Sequence, residues 1–199
     1  MSIEDVDGPD RFPLLRAATS GFILRPFEQR DAPAVARACN DAQVQRWLPL
    51  PSPYGIDTAL EWCCRLSHEL RERSDGLHVA MATKTGRLIG SVSLKHTNWR
   101  SRCTEIGYWT VPDARNRGHT SAAVSYVSQW ALAQGMERVE LRAAPKNHAS
   151  RRVARKAGFV YEGTMRNAGF THAGRVDLCL YSLIPGPVDP ASSFPRSAR

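Results

Sequence analysis

Three strand-like runs follow one another near the middle of the chain, over residues 78–83, 88–94 and 103–111. The first two are joined by the short segment Lys84-Thr-Gly-Arg, and a glycine in so short a connection is typical of a hairpin turn. Pro112 ends the third run, because proline cannot donate to a strand ladder. The sequence therefore predicts a meander of neighbouring strands, so that at least part of its sheet is antiparallel.

Helical and strand-like segments alternate on both sides of this meander. Before it lie a short strand over 21–25 and helices beginning at Asp31 and Asp57, since aspartate is a favoured N-cap residue. After it come a helix over 120–134, a strand over 138–143, a helix over 147–157, and strands over 159–165 and 176–184 around a loop over 166–175. This order predicts an α/β (α+β) fold, with a mixed and largely antiparallel twisted sheet of about seven strands flanked by about four helices.

The length of 199 residues fits one domain with a sizeable core, and a hydrophobic content of 42% is ordinary for a globular protein. We expect a loose segment over residues 1–20, a single domain over 21–184 and a disordered tail rich in proline and serine over 185–199. No apolar run approaches the ~20 residues of a membrane helix. The acidic N-terminus also lacks the apolar stretch of a secretory signal, so we expect no membrane association and a cytoplasmic location.

Arginine dominates the charge of the chain: only four of its 27 basic residues are lysine, and the net charge is +8. This excess suits phosphate binding, because a guanidinium pairs with phosphate in a bidentate way, but for the bulk of the charge we favour a solvated surface. A nucleic-acid partner is disfavoured, since the sequence carries no helix-turn-helix, zinc-finger or RNA-binding aromatic motif. The five cysteines lack C-x-x-C spacing, and we expect neither a disulfide framework nor a metal site.

The clearest binding signal lies between residues 111 and 121. A strand ends there, a loop carries Arg115, Arg117 and Gly118, and a helix begins near Thr120. The free amides of a helix N-terminus attract anions, and glycine lets the backbone approach a ligand closely. The same residues would also make an ordinary strand-to-helix turn with surface arginines. Neither a P-loop nor a dinucleotide-binding glycine motif accompanies them.

The segment Arg115-Asn-Arg-Gly118-His-Thr120 resembles the Q/R-x-x-G-x-G/A acyl-CoA signature of the GNAT acetyltransferases, although Thr120 departs from the usual Gly or Ala. Further segments resemble the RimJ/RimL-like branch of that family, so that the resemblance runs over about residues 21–184. They are Glu105-Ile-Gly-Tyr-Trp-Thr-Val-Pro, the stretch from Asn147-His-Ala-Ser150 to Gly158-Phe159, and Glu162-Gly-Thr-Met-Arg166.

The resemblance implies the GNAT fold and the transfer of an acetyl group from acetyl-CoA to a primary amine, which belongs to a protein N-terminus or a small molecule. Related possibilities are another acyl donor such as succinyl-CoA, or an acyl-CoA sensor without turnover. It implies no metal. Dimers are frequent in the family, so a homodimer is one expectation for the assembly.

The resemblance also implies roles for individual residues. The pantetheine arm would pair with the main chain at the end of the strand over 103–111, and the pyrophosphate would lie on the turn that follows. Asn147 would reach the pantetheine, although an N-capping role would explain this residue as well. The residues implied for acetyl-CoA binding are Thr110, Val111, Arg115, Asn116, Arg117, Gly118, His119, Thr120, Ser121 and Asn147.

Two residues are candidates for proton transfer. Glu105 would act through one water as the base for the attacking amine, unless it is a solvated charge of an edge strand. Ser150 takes the place of the acid that protonates the departing thiolate, unless it is merely a first-turn residue. Many GNAT enzymes carry a tyrosine four residues later, where this chain has Ala154. The reaction needs such an acid only weakly, since a thiol with a pKa of about 8.5 is a tolerable leaving group.

Overall fold

The computed structural model describes residues 11–186, and its centre is one sheet of eight strands. They are β1 Ala17–Ala18, β2 Ile23–Arg25, β3 Leu77–Ala82, β4 Leu88–Asn98, β5 Cys103–Thr110, β6 Arg138–Ala143, β7 Val160–Thr171 and β8 Gly174–Leu183. Their order across the sheet is β1-β2-β3-β4-β5-β6-β8-β7, and every neighbouring pair is antiparallel except β5 and β6. The expected mixed and largely antiparallel sheet is confirmed, with one strand, β1, more than expected.

In the described part of the chain six α-helices flank the sheet: α1 Ala32–Cys39, α2 Ala42–Trp47, α3 Ile56–Glu61, α4 Ser67–Glu72, α5 His119–Ala133 and α6 His148–Lys156. A π-helical turn, Trp62–Leu66, joins α3 to α4, so the long helix expected from Asp57 onward is interrupted. No helix in the described part of the chain is long and apolar enough to cross a membrane.

The helices cover both faces of the sheet, because the neighbouring residues Val79 and Ala80 of β3 point to opposite sides. Val79 lies in one core with Val127 of α5 and Ala154 of α6. Ala80 lies in a second core with Val35 of α1. The sheet is therefore the middle layer, with α5 and α6 on one side and α1 to α4 on the other.

The segment before β2 is packed where the structure describes it, in contrast to the loose segment expected over residues 1–20. Phe12 and Leu15 are buried, and the Phe12 ring lies 4.7 Å from that of Trp99 and 5.7 Å from that of Trp130, measured between centroids. Two isolated apolar anchors give no helix or strand period, which is why the sequence did not indicate them. The remaining terminal expectations, for residues 1–10 and 187–199, lie outside the described residues.

The last two strands form a long hairpin, whereas the sequence predicted a loop over 166–175. Only His172 and Ala173 separate β7 from β8. The register of this pair shifts between Tyr161 and Gly163 and again between Met165 and Gly169. Each shift interrupts the alternation of apolar and polar residues, so the strand pattern is hidden in the sequence.

The feature that positions the site is the divergence of β5 from β6. The two strands pair at three positions only, Cys103 with Arg138, Thr104 with Val139 and Glu105 with Glu140. Beyond these, β5 continues beside β4 and β6 beside β8, so a gap opens toward their carboxyl ends. Parallel strands end at the same edge of a sheet, and α5 and α6, which follow them, therefore both begin at this gap.

Candidate active site

One wall of the gap is the edge of β5 that faces away from β4. From Ile106 to Thr110 no strand of the described chain pairs with this edge. Val111 turns its amide toward β4, where it donates to the carbonyl of Ile89 over 3.1 Å. Unpaired strand-edge groups can be satisfied by an extended ligand that carries amides, in the manner of an added strand. Of the two residues that the resemblance implies for pantetheine binding, Thr110 therefore lies on the free edge, whereas Val111 directs its amide away from the gap.

The N-terminus of α5 supplies a set of free amides at the same mouth. Ala122 donates the first hydrogen bond of the helix, to the carbonyl of Gly118 over 3.1 Å, which leaves the amides of residues 119–121 without helical partners. Gly118 precedes the helix with a φ of +82°, and a Cβ placed there would meet no atom within 4 Å. Asn116 also has a positive φ, +61°, which asparagine tolerates better than most residues. This turn forms an open cradle for an anion.

Arg115 does not face this cradle. Its Nε donates to the carbonyl of Thr110 over 3.1 Å, and its guanidinium pairs with Asp41, the N-cap of α2. Burial tends to raise the pKa of Asp41, but the hydrogen bonds from Arg115 and from the α2 amides outweigh it and lower that pKa. Arg115 therefore ties the loop to α2, and its charge is neutralised there. Arg117 is exposed and forms no ion pair with any described residue, so it alone remains for a phosphate.

The side chains at the start of α5 are engaged in contacts within the protein as well. The Thr120 hydroxyl lies 2.7 Å from that of Thr110 and so joins the helix to the end of β5. The threonine that replaces Gly or Ala thus directs its side chain to the strand and keeps its amide free. The His119 ring packs edge-on against Phe22, with centroids 6.0 Å apart, and the Ser121 hydroxyl donates to the carbonyl of Gly118 over 3.0 Å. Residues 119–121 therefore present their backbone amides, and not their side chains, to an anion in the cradle.

Asn147 is the N-cap of α6. Its Oδ1 accepts a hydrogen bond from the amide of Ser150 over 3.1 Å, which is the capping role that the sequence left open. Its Nδ2 has no hydrogen-bond partner within residues 11–186. Capping fixes the carboxamide and leaves Nδ2 free to donate, so N-capping of α6 and contact with the pantetheine arm are compatible roles for Asn147.

Tyr108 of β5 is the site residue that sequence analysis missed. Its hydroxyl lies 2.7 Å from the Ser150 hydroxyl. Burial raises the pKa of Tyr108 to about 12, although the bond to Ser150 lowers it slightly, so the phenol keeps its proton at neutral pH. The alternation of β5 could have indicated it, because Tyr108 shares a face with Thr110 and that face meets α6. A phenol hydroxyl thus lies beside Ser150, although position 154 carries alanine.

Glu105 lies on the opposite face of β5, at the closed end of the gap. Its Oε1 is 2.8 Å from Lys95 Nζ, and its Oε2 is 3.5 Å from Arg142 Nε. The side chain is only 12% exposed, so Glu105 is not a solvated edge charge. Both carboxylate oxygens are held by cations, and a base function at this position requires a water or amine to share one of these contacts.

The contacts of Glu105 continue as a row of charges across the sheet. Arg142 Nη2 lies 2.7 Å from Glu140, and Arg138 joins Glu140 at 2.8 Å to Glu162 at 2.5 Å. The hydrogen bonds from Arg138 and from the Ser182 hydroxyl lower the pKa of Glu162 to about 2. The row holds as many carboxylates as cations, so it adds no net charge beside the gap.

Aromatic residues near this end of the sheet pack into or against the cores. Trp99 donates from Nε1 to the carbonyl of Ser74 over 2.8 Å and belongs to the core, and Tyr54 is buried. Trp62, in the π-helical turn, packs edge-on against His78 with centroids 4.9 Å apart. His78 Nδ1 lies 2.8 Å from the Ser93 hydroxyl, and burial lowers the pKa of His78 to about 4. This group shares a face of the sheet with Glu105.

Known proteins resemble this chain over most of its length. It is 27% identical over 175 residues to uncharacterized N-acetyltransferase YoaA of Bacillus subtilis, covering 87% of this chain and 97% of that protein. It is 29% identical over 105 residues to the ribosomal-protein-serine acetyltransferase of Escherichia coli, covering 52% of this chain and 59% of that one. The structure of Mycobacterium smegmatis RimJ in complex with CoA-disulfide shares the fold, with a TM-score of 0.75 at 22% identity, covering 87% of this chain and 86% of that chain.

A family model described as an acetyltransferase (GNAT) domain matches residues 22–160, which is more than half of the chain. The matched range includes the diverging strands, the anion cradle and α6. Residues 11–186 contain no group of three or more histidine, cysteine, aspartate or glutamate side chains that could hold a metal ion. The chain is therefore an acetyltransferase that belongs to the GNAT family.

Proposed function

We propose that this enzyme transfers an acetyl group from acetyl-CoA to the amine of a protein N-terminus, by direct attack within a ternary complex. The observation that carries the proposal is the gap between β5 and β6, whose mouth also holds the free amides of α5. An unpaired strand edge beside an anion cradle matches a donor that has amides in one part and a pyrophosphate in another.

The donor is bound by backbone groups for the most part. The pantetheine amides pair with the free edge of β5 that ends at Thr110, because the amide of Val111 is bonded to β4, and the free Nδ2 of Asn147 adds one donor from α6. The pyrophosphate lies on the amides of residues 119–121, where Arg117 supplies an exposed positive charge. Arg115 stabilises the loop and makes no phosphate contact, because Asp41 holds its guanidinium.

The chemical step needs one proton to leave the amine and one to reach the sulfur. The bond from nitrogen to the acetyl carbon forms while the carbon–sulfur bond breaks, and no covalent intermediate with the enzyme is required. Glu105 accepts the amine proton through a water at the closed end of the gap. Ser150 donates to the departing thiolate from the other face of β5, and Tyr108 in turn donates to Ser150.

Support for a protein acceptor comes from the relative that is named as a ribosomal-protein-serine acetyltransferase. A small-molecule amine remains the alternative acceptor. Acetyl transfer to a set of N-terminal peptides, polyamines and aminoglycosides, followed as release of free thiol, separates the two. Turnover of a peptide above all small amines is the expected result.

The donor is tested separately by calorimetric titration with acetyl-CoA and succinyl-CoA. Acetyl-CoA is expected to bind in the low micromolar range or tighter, and absence of binding at tens of micromolar overturns the proposed function. Binding without thiol release for every amine would identify a sensor instead of an enzyme. Preference for succinyl-CoA would change the donor and keep the site.

A further inference from the structure

Lys95 of β4 holds its amine beside the residue that we propose as the base. Its Nζ lies 2.8 Å from Oε1 of Glu105. Of the four lysines in the chain, Lys95 alone pairs with a carboxylate within the described residues. The other three are exposed and form no ion pair in that part of the chain; they are Lys84, Lys146 and Lys156. The base thus already contacts a primary amine that belongs to the protein itself.

The choice of lysine at this position is significant, because the chain uses arginine for most of its cations. In the row of charges described above, Glu140 is held by two arginines, Arg138 and Arg142. A guanidinium keeps its proton in proteins, whereas a lysine amine becomes a nucleophile once it has lost a proton. Lys95 is therefore the one cation of this row that is able to form an amide.

The side chain of Lys95 extends over the free edge of β5. Gly107 belongs to this edge and lies on the same face of the sheet as Lys95, since Lys95 pairs with Glu105 two residues earlier. A Cβ built on Gly107 would lie 3.1 Å from Lys95 Cε and 3.8 Å from its Nζ, so the lysine fills the space of a side chain there. Glycine within a strand often allows such a close approach. The amine thus lies over the part of β5 that faces the gap.

This position brings the amine close to a donor bound in the gap. A strand-like ligand pairs about 5 Å from the strand that it joins, and reacting atoms must approach to about 3–3.5 Å. The Lys95 side chain is 39% exposed, and rotation about its flexible terminal bonds moves the amine toward the gap. Lys95 faces the donor from one side of the sheet and Ser150 from the other. The nucleophile and the acid therefore reach the thioester from opposite sides.

We propose, on the basis of the proposed function, that Lys95 is a site of self-acetylation, at which the enzyme transfers the acetyl group of its own bound acetyl-CoA to Lys95 Nζ when no other amine is present. One proton of the Lys95 ammonium passes to Glu105 and on to solvent. The neutral Nζ then forms a bond to the acetyl carbon while the carbon–sulfur bond breaks, and the second proton that the nitrogen loses is matched by the one that the sulfur gains. The product is an uncharged amide, which no longer forms an ion pair with Glu105.

The test follows acetylation of the full chain by mass spectrometry after incubation with deuterated acetyl-CoA and no added amine. The deuterium separates new acetyl groups from any that the protein already carries. We expect about one label per chain, located at Lys95, together with a burst of about one free thiol per chain. The rate should saturate with acetyl-CoA and should not change with the protein concentration, because the transfer occurs within one complex.

Three variants make the test specific. Lys95→Arg keeps the positive charge and is expected to lose both the label and the thiol burst. The matched control Lys84→Arg makes the same exchange at an exposed lysine between β3 and β4, and it is expected to keep both. Glu105→Gln should slow the labelling of Lys95 about 100-fold, as for loss of a general base, and leave the slow chemical labelling of Lys156 unchanged. An equal rate in Glu105→Gln would overturn the proposed proton transfer from Lys95.

The outcomes distinguish this inference from the proposed function. If acetyl-CoA binds and added amines are acetylated while Lys95 stays unlabelled, the proposed function stands and self-acetylation is refuted. If acetyl-CoA does not bind in calorimetry, both fail. Similar labelling of all four lysines, at rates that rise linearly with acetyl-CoA, would identify chemical acetylation from solution and overturn the proposal. A rate that rises with the protein concentration would show that one copy modifies another, which contradicts transfer within one chain.

Discussion

The hydroxyl of Tyr108 lies 2.7 Å from the hydroxyl of Ser150 and thereby joins β5 to the first turn of α6 beside the gap. The serine has a second constraint, since Asn147 accepts a hydrogen bond from its amide. Because both the amide and the hydroxyl of Ser150 are hydrogen-bonded, the hydroxyl keeps one orientation relative to the edge of β5. Such preorganisation matters where charge develops on a departing sulfur.

Replacing Tyr108 by phenylalanine removes the hydroxyl and keeps the ring in the core. We expect kcat to fall about tenfold, with little change in the KM for acetyl-CoA, because one hydrogen bond to the acid is lost. The double variant Tyr108→Phe/Ser150→Ala should be no slower than Ser150→Ala alone, since both changes act through one group. Additive losses in steady-state kinetics would show that the two hydroxyls act independently.

The two arginines of the loop before α5 should behave differently on substitution. Arg117→Glu is expected to weaken acetyl-CoA binding at least tenfold in calorimetry and to leave thermal unfolding unchanged, because its side chain is exposed and unpaired in the described structure. Arg115→Gln should lower the free energy of unfolding by about 1–2 kcal/mol, since it breaks a largely buried contact with Asp41. If Arg115→Gln weakens acetyl-CoA binding without lowering the free energy of unfolding, Arg115 would instead contact the phosphates.

Glu105→Gln tests the base. We expect turnover to fall about 100-fold while acetyl-CoA binding is retained, as for loss of a general base. The companion variant Lys95→Met leaves the carboxylate but removes the contact to its Oε1, so it should cost less than Glu105→Gln at every pH. Turnover of Glu105→Gln equal to that of wild type would remove Glu105 from the mechanism.

Stability should depend on pH through His78. Burial holds its pKa near 4 in the folded protein, below its ordinary value of 6.5, so the unfolded chain binds the proton more readily. The resulting stability is fully present above pH 6.5 and is lost as the pH falls toward 4. Chemical denaturation should show a loss of about 2 kcal/mol between pH 7 and pH 4.5 from this group. His78→Gln should reduce that pH dependence, and an identical profile for both proteins would contradict the assignment.

The sequence predicts those parts of the fold and site that depend on local patterns. The bounds of β6 agree with the expected strand, and the glycine before α5 adopts the positive φ that leaves its helix amides open. Local chemistry decides both, since β-branched and apolar alternation marks a strand and only glycine adopts that conformation without strain.

The parts that the sequence leaves open depend on partners distant along the chain. Arg115 turns inward because Asp41, 74 positions earlier, caps α2 beside it. Ser150 meets Tyr108 from a strand 42 positions away, and Phe12 finds its place only against Trp99 and Trp130. No periodicity encodes such encounters, because they are fixed by the packing of complete elements.

The short pairing of β5 with β6 divides the sheet into a block of five strands and a block of three, which share a spine of three residue pairs. A donor bound along the free edge of β5 would stabilise the contact between the two blocks, because it supplies hydrogen bonds where the strands do not pair with each other. Binding of the donor is therefore coupled to the stability of the sheet where β5 and β6 diverge. The loaded enzyme should protect the gap-facing amides of Ile106, Tyr108 and Thr110 from hydrogen exchange, whereas those that face β4 are protected in the empty protein as well.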